Sequence, residues 1–421
     1  MATLEFINYK HRRIEVKDGE IIWKELDRKP IENLPQIIWE NNSPWSEVNL
    51  WALEQATSSK LNIKTVRSNM SHLLAYAKWL ESESIDWWHF PERESDRCLV
   101  RFRGALIQSR GSGECAPSTT SQRMSSVIRY YKWLKGKGLI SPDWPMWKDR
   151  LIGIKITNSF GLEHTLRVSS TDLAIPNRTV AGAIKLEDGL LPVSAKGMKE
   201  VLTLADTEAS EELSLMLRIG FFTGLRLGSI TDLKVSTLQN ATIIPNVGLK
   251  TLSVGPGARP PVATKFNVTG SVPIPQELID TLLNYAISTR RLQRQTLAAP
   301  EDQDTLFLTR FGNTYSSANS RAVNVEMHRF RNNGVKLGVK FLRGFHFHRT
   351  RATYATEIMK VALNFMSVSD SIQFVKEACL HKDESTTMKY IKFIETNKTM
   401  KEASDAFTHA FMGLMGGDKD V

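Results

Sequence analysis

Between Asn158 and Leu190 the apolar periodicity that organises both flanks of the chain fades, and Ser, Thr, Asn and Gly become frequent. A stretch that buries no face reads as a linker, so the chain is expected to fold as two bodies. Its 421 residues agree with that, because one hydrophobic core rarely organises so many. The expected divisions are an N-terminal extension over 1–43, a helical domain over 44–157, a linker over 158–189, a second domain over 190–398 and a tail over 399–421.

In the extension, Ile14 and Val16, then Asp18-Gly19, then Ile21, Ile22 and Trp23, predict two strands joined by a tight turn, since Asp-Gly tolerates the backbone angles of such a hairpin. From Pro44 to Ser141 the period becomes helical. Met70, Leu73, Leu74, Ala77 and Leu80 form one apolar stripe, and Met124, Val127, Ile128, Tyr131 and Leu134 form a second, both most simply core. The polar sides carry Lys64, Arg67, Lys78, Arg123, Arg129 and Lys132, with Lys135 and Lys137 beyond. A solvated face is the ordinary meaning of any one of these; together they make candidates for contact with a DNA backbone. The second domain starts with helices over Ala195 to Ala205 and Glu211 to Gly220, passes through strand-like sequence from Ala241 to Pro275, and returns to helix.

Charge narrows the partner. The formal net charge is +10 and the isoelectric point about 9.4, which favours a polyanion because lysine and arginine release counterions when they neutralise phosphates. An apolar share of 41% and a charged share of 24% describe an ordinary soluble globular chain. Cys98, Cys115 and Cys379 are too few and too scattered for a disulfide framework or a zinc knuckle. Met1 to Lys10 has no signal-like apolar core, and no run approaches a membrane span, so a cytoplasmic protein without membrane partners is expected.

Exchange of a phosphodiester needs a nucleophile, a base, an acid for the leaving oxygen and fixed cations around the non-bridging oxygens. The second domain supplies each, although none is decisive alone. Arg226 follows an apolar helix and a Thr223-Gly224 turn; Lys265 stands in Ala263-Thr264-Lys265-Phe266-Asn267, expected in a hairpin before Val272-Pro273-Ile274. Taken singly, both are ordinary surface cations. His348 and Arg351 are three apart, a separation that puts both on one helix face, although Arg343, His346 and Arg349 are rivals nearby. An imidazole suits a proton acceptor near neutrality, and a phenol needs that help. His381 precedes Tyr390 by nine positions, with Lys382 to Ser385 reading as a loop and helix cap. A helical tyrosine is more often a buried core residue than a nucleophile.

In this order and spacing, the segments resemble the tyrosine recombinase, or phage integrase, family. Thr223-Gly224-Leu225-Arg226 is similar to its first arginine motif and Lys265 to its hairpin lysine; His348-x-x-Arg351 with Tyr354-Ala355-Thr356 is similar to its second box, and His381 with Ser385-Thr386-Thr387-x-x-Tyr390 to its last histidine and nucleophile. The likeness covers roughly Leu190 to Thr396, and Pro44 to Ile140 is similar to that family's core-binding domain. It implies a mostly α fold with small β-sheets: a helical, SAM-like core-binding domain and a mixed α+β catalytic domain that clamp DNA. It implies site-specific breaking and rejoining of double-stranded DNA, for integration or excision of a mobile element. In that scheme Tyr390 forms a 3′-phosphotyrosine, Arg226 and Arg351 clamp the phosphate, His348 takes the tyrosine proton, Lys265 protonates the leaving 5′-oxygen and His381 bonds the phosphate. No cofactor and no metal enter, in keeping with a sequence that lacks a Walker loop or metal-ligand spacing.

The resemblance further implies a homotetramer on paired sites, a monomer or dimer off DNA, accessory DNA-bending proteins as partners, and residence at the nucleoid. Phe407, Phe411 and Leu414 lie at helix spacing in the tail, which would dock on a neighbouring subunit or pack on its own. Two positions depart from the family: Ser229 replaces an acidic residue three after the first arginine, and Leu380 replaces a glycine before the last histidine. Rival readings are a type IB topoisomerase-like or resolvase activity with the same chemistry, and a DNA-binding module with a dead site.

Overall fold

The computed structural model describes residues 1–58, 61–157, 163–177, 186, 189–316, 320–396 and 398, with the backbone alone for 152–157 and 163–168. The chain divides into two compact units, Met1–Ala181 and Gly182–Val421.

The first unit opens with four strands: β1 (Thr3–Tyr9), β2 (Arg12–Lys17), β3 (Glu20–Glu25) and β4 (Ile31–Ile38). The hairpin expected from Asp18-Gly19 is β2–β3, with both turn residues at positive φ (54° and 83°), the backbone of a two-residue turn that matches strand twist. The extension also pairs β1 with β4, antiparallel, placing Thr3 opposite Ile38. Sequence patterning had not marked this pair, because β4 carries Pro35 and starts near Asn33 at φ 54°, both of which break a strand signature.

Four helices follow: α1 (Ser46–Thr57), α2 (Ile63–Glu83), α3 (Cys98–Gly111) and α4 (Pro117–Gly136). Asn62 caps α2 by accepting from Lys64 N at 2.9 Å, and Pro117 opens α4, where its missing N–H costs nothing. Strand β4 is fixed to α1 by Asn49, whose buried side chain accepts from Ile37 N (2.7 Å) and donates to Ile37 O (3.1 Å). Both apolar stripes face inward onto an aromatic core in which Trp45 packs on Trp39, Trp87 and Tyr130, and the Tyr76 and Tyr131 hydroxyls meet at 2.9 Å.

Strands β5 (Asp149–Thr157) and β6 (Glu163–Thr171) then pair antiparallel. The stretch from 158 to 189 is therefore not structureless linker where it is described: it contains β6, and the boundary between units falls after Ala181. The Ser- and Thr-rich composition hid a strand whose residues alternate as His164-Thr165-Leu166-Arg167-Val168.

The second unit begins with α5 (Ala195–Glu208) and α6 (Glu211–Thr223), capped by Ser194 and Ser210 through Gly197 N and Leu213 N. The short helices α7 (Leu227–Ile230) and α8 (Val235–Gln239) lead into a three-stranded antiparallel sheet ordered β7 (Thr242–Ile243), β8 (Leu249–Val254), β9 (Gly270–Pro275). Helices α9 (Gln276–Ala286), α10 (Thr289–Thr296), α11 (Ala322–Lys336), α12 (Arg349–Phe365) and α13 (Val368–Ala378) complete it, with a last helix, α14, over 384–396. Helix α6 is buried nearly all round and is the axis of the main core. Among the described residues, no helix is long and apolar enough to cross a membrane.

At the start of α6 the Glu212 carboxylate is enclosed yet accepts from Arg290, Arg294 and the Tyr285 hydroxyl at 2.8–2.9 Å. Burial pushes its carboxyl up, but the Arg290 hydrogen bond and the Arg294 charge outweigh that and hold it below the usual carboxylate value of 4.5. A depressed folded pKa contributes stability that is fully present above the unfolded value and is lost as pH falls through the folded one. The second unit should therefore weaken below about pH 4.5, and Glu212→Gln, which strands two guanidiniums, should cost about 3 kcal/mol at neutral pH while flattening that acid limb. Calorimetry across pH checks both. In the first unit, Trp45→Ala should cost about 3–5 kcal/mol and lower its own melting transition.

Candidate active site

The site is built around the end of α6. Gly224 takes the left-handed conformation (φ 63°) and its N–H closes the helix on Gly220 O. Thr223 holds the turn from inside, its hydroxyl donating to Ile219 O at 2.6 Å and accepting from Leu225 N at 3.2 Å. The chain then presents half-buried Arg226 as the cap of α7, its carbonyl accepting from Ser229 N and Ile230 N.

Helix α12 is seated on that turn. A Cβ on Gly220 would stand 2.5 Å from the Thr350 hydroxyl, and one on Gly224 would stand 2.4 Å from Cδ1 of Tyr354. Two bare positions one helical turn apart thus let the helices approach. The seat is locked by Arg351, which is 2% exposed and donates through Nη1 to Gly224 O at 2.7 Å. The two arginine motifs are therefore joined directly. His348 precedes Arg351 by one turn and is already in helical conformation (φ −63°, ψ −15°). Of its rivals, Arg349 is tied to the carbonyls of Leu191, Pro192 and Gly344, and Arg343 and His346 are exposed.

The third segment also packs against α12. His381 is buried, its Nδ1 lies 2.8 Å from the Thr387 hydroxyl, and its ring stacks on that of Tyr390 with centroids 5.9 Å apart and planes 12° apart. Tyr390 falls in the first turns of α14, as expected, and is wholly enclosed in a cluster with Ala352, Ala355, Met359, Val375 and Cys379. Leu380, one of the two departures from the resemblance noted in the sequence, has φ 53°. The loop keeps the glycine-type backbone at some strain, and the side chain packs on β9, where a Cβ on Gly270 would meet Leu380 Cδ2 at 2.6 Å. Ser229, the other departure, is buried just beyond Arg226.

Lys265 lies in the loop between β8 and β9, in a short 3₁₀ turn, and is exposed. Its Nζ is 5.4 Å from the centroid of the Phe266 ring, and the Nζ of Lys382, next to His381, is 5.5 Å from the same centroid. The four segments converge through Gly224, the Tyr390 cluster and this ring. Sequence reasoning missed Thr387 as the partner of His381, Tyr354 as the cover of Gly224, and Phe266 with Lys382. All four stand inside or beside the quoted segments, but which groups they meet depends on contacts between segments that local spacing does not show.

Among the DNA-contact candidates of the first unit, Lys64, Lys78 and Lys132 are exposed and Arg123 is half-buried. Arg67 is engaged by the extension, donating to Glu32 O and Asn33 O and lying over Phe6. Arg129 donates to Asn69, Ser126 and Ser125 O. Both side chains thus have hydrogen-bond partners within the first unit, which a one-face pattern of charge could not reveal. The tail residues Phe407, Phe411 and Leu414 lie outside the described residues.

Residues 193–396 match the model of the phage integrase family. They are a phage integrase family domain. The chain therefore carries a domain of the tyrosine recombinase family, whose members break and rejoin DNA. No curated protein matches the chain. Among solved structures, a lambda integrase dimer bound to a COC′ core site has 13% identity over 82% of this chain and 76% of that one, with a TM-score of 0.47. The Tn1549 transposon integrase in complex with transposon right end DNA has 12% identity over 85% and 99%, also at 0.47. The catalytic domain of bacteriophage HP1 integrase has 21% identity over 48% and 88%, at 0.30.

Within this integrase domain, Gly224→Ala should be doubly unfavourable, because it places a Cβ in left-handed backbone and against Tyr354. A loss of about 2 kcal/mol or more is expected, with DNA cleavage falling further than stability because Arg226 and Arg351 both register on this turn. Thermal melting and a cleavage assay on the same preparation measure the two losses.

Proposed function

We propose that Tyr390 is the nucleophile of a site-specific recombinase that integrates or excises a mobile element. The observation that carries the reading is the 2.7 Å hydrogen bond from Arg351 to the carbonyl of Gly224, which brings both arginines of the motif to one turn. Guanidiniums present paired donors to non-bridging phosphate oxygens, geometry a lysine lacks. Arg226 and Arg351 bind the scissile phosphate and stabilise charge as it accumulates in the transition state.

Tyr390 Oη attacks phosphorus while its proton passes to the imidazole of His348. The bond from phosphorus to the 5′-oxygen breaks, that oxygen takes a proton from the Lys265 ammonium, and a 3′-phosphotyrosine is left. His381, held by Thr387, donates to a phosphate oxygen. Attack by another 5′-hydroxyl reverses the sequence and rejoins the strand. The bond energy is kept in the phosphotyrosine throughout, so the residues of the chain account for every proton moved.

Each chain offers one such tyrosine, and exchange between two duplexes requires four strand cuts, so the working assembly is a homotetramer on paired sites. It would act at the nucleoid, with DNA-bending proteins as accessory partners, and Lys64, Lys78, Arg123 and Lys132 would meet the DNA backbone.

On a nicked duplex carrying the sequence that flanks its gene, the protein should become covalently joined to DNA, and Tyr390→Phe should lose the adduct while retaining binding. An adduct of undiminished yield from the variant sinks the assignment. Binding should also weaken steeply with salt, with log K falling linearly against log salt concentration; a flat response in a gel-shift titration counts against extended backbone contact.

A further inference from the structure

Phe266 combines three properties that are costly or unusual together. Its backbone is left-handed (φ 65°, ψ 18°), a conformation that penalises a bulky residue and persists where the surroundings demand it. Its ring is 64% exposed, so it fills no core. That ring nevertheless has two ammonium groups near it, Lys265 Nζ at 5.4 Å and Lys382 Nζ at 5.5 Å from its centroid. Both are within the range at which a cation is attracted to the face of an aromatic ring. The two lysines come from distant parts of the chain: Lys265 from the β8–β9 loop and Lys382 from the residue after His381.

We infer that Phe266 is a positioning residue, an aromatic platform that holds the Lys265 ammonium toward the leaving 5′-oxygen and ties the β8–β9 loop to the His381 segment through Lys382. The inference rests on the reading of Lys265 as the acid in strand cleavage. A lysine on an exposed loop has a long, freely rotating stem, and a proton donor is effective only when held in line with the oxygen it serves. The ring restricts the ammonium without neutralising it, which a carboxylate partner would do. The left-handed backbone sets where that ring stands relative to Lys265.

The test uses the full chain and two nicked duplexes of the same flanking sequence, one with the ordinary 5′-oxygen at the scissile bond and one with sulfur in its place. A thiol leaves without a proton from an acid, being far more acidic than an alcohol. Phe266→Leu, which keeps bulk but removes the π-face, should slow cleavage of the oxygen substrate roughly five-fold. It should leave the sulfur substrate, the affinity for DNA and the melting temperature unchanged. Phe266→Trp, which keeps the face, should restore the oxygen rate. Equal loss on both substrates, no loss on either, or loss of affinity alone overturns the role of Phe266. Lys265→Ala separates the two claims: if sulfur fails to relieve its defect, the assignment of the acid is wrong, whatever Phe266 does.

Discussion

The catalytic half is referenced to one backbone carbonyl. Gly224 O receives the guanidinium of Arg351 at 2.7 Å, and a hydrogen bond to a charged donor in a buried setting contributes about 1.5–3 kcal/mol. Its larger effect is positional. The same turn launches Arg226, and the same helix carries His348 one turn earlier and Tyr354 one turn later, so the register of α12 on α6 sets the distances between groups far apart in sequence. Gly220 and Gly224 make that register available by leaving out the atoms that would hold the helices apart.

A second fixed point stands at the opposite end of α6, where Glu212 gathers Arg290, Arg294 and Tyr285. Helix α6 is thus held by a carboxylate at its start and by a glycine turn at its finish, with apolar burial between. A rigid axis of this kind suits the proposed phosphate site, because preorganised charge does not have to rearrange during reaction.

Much of this was legible in the sequence. Helical stripes, the Asp18-Gly19 hairpin and the four motif segments depend on local spacing, which a linear reading captures. The β1–β4 pair was not, because Pro35 and the left-handed Asn33 interrupt its pattern and its stability comes from Asn49 on α1, a contact without local signal. Strand β6 was masked by composition. Arg67 and Arg129 are candidates by charge on one face, yet Arg67 bonds to carbonyls of β4 and Arg129 to Asn69 of α2, contacts without local signal. The meeting of Lys265 and Lys382 over Phe266 was equally hidden, since long-range proximity of two cations has no periodicity. Local geometry can be read along the chain, whereas which groups are consumed by neighbours cannot.

Leu380 and Gly270 share a single volume. The leucine sits where a side chain strains the backbone, and the glycine opposite it has given up the space that the leucine fills. The two positions are therefore complementary loci, and bulk can be transferred between them but not added to both. A chain that restores glycine at the first gains freedom to carry a methyl group at the second, so the sheet and the histidine loop are bound to change as a pair when such a sequence drifts.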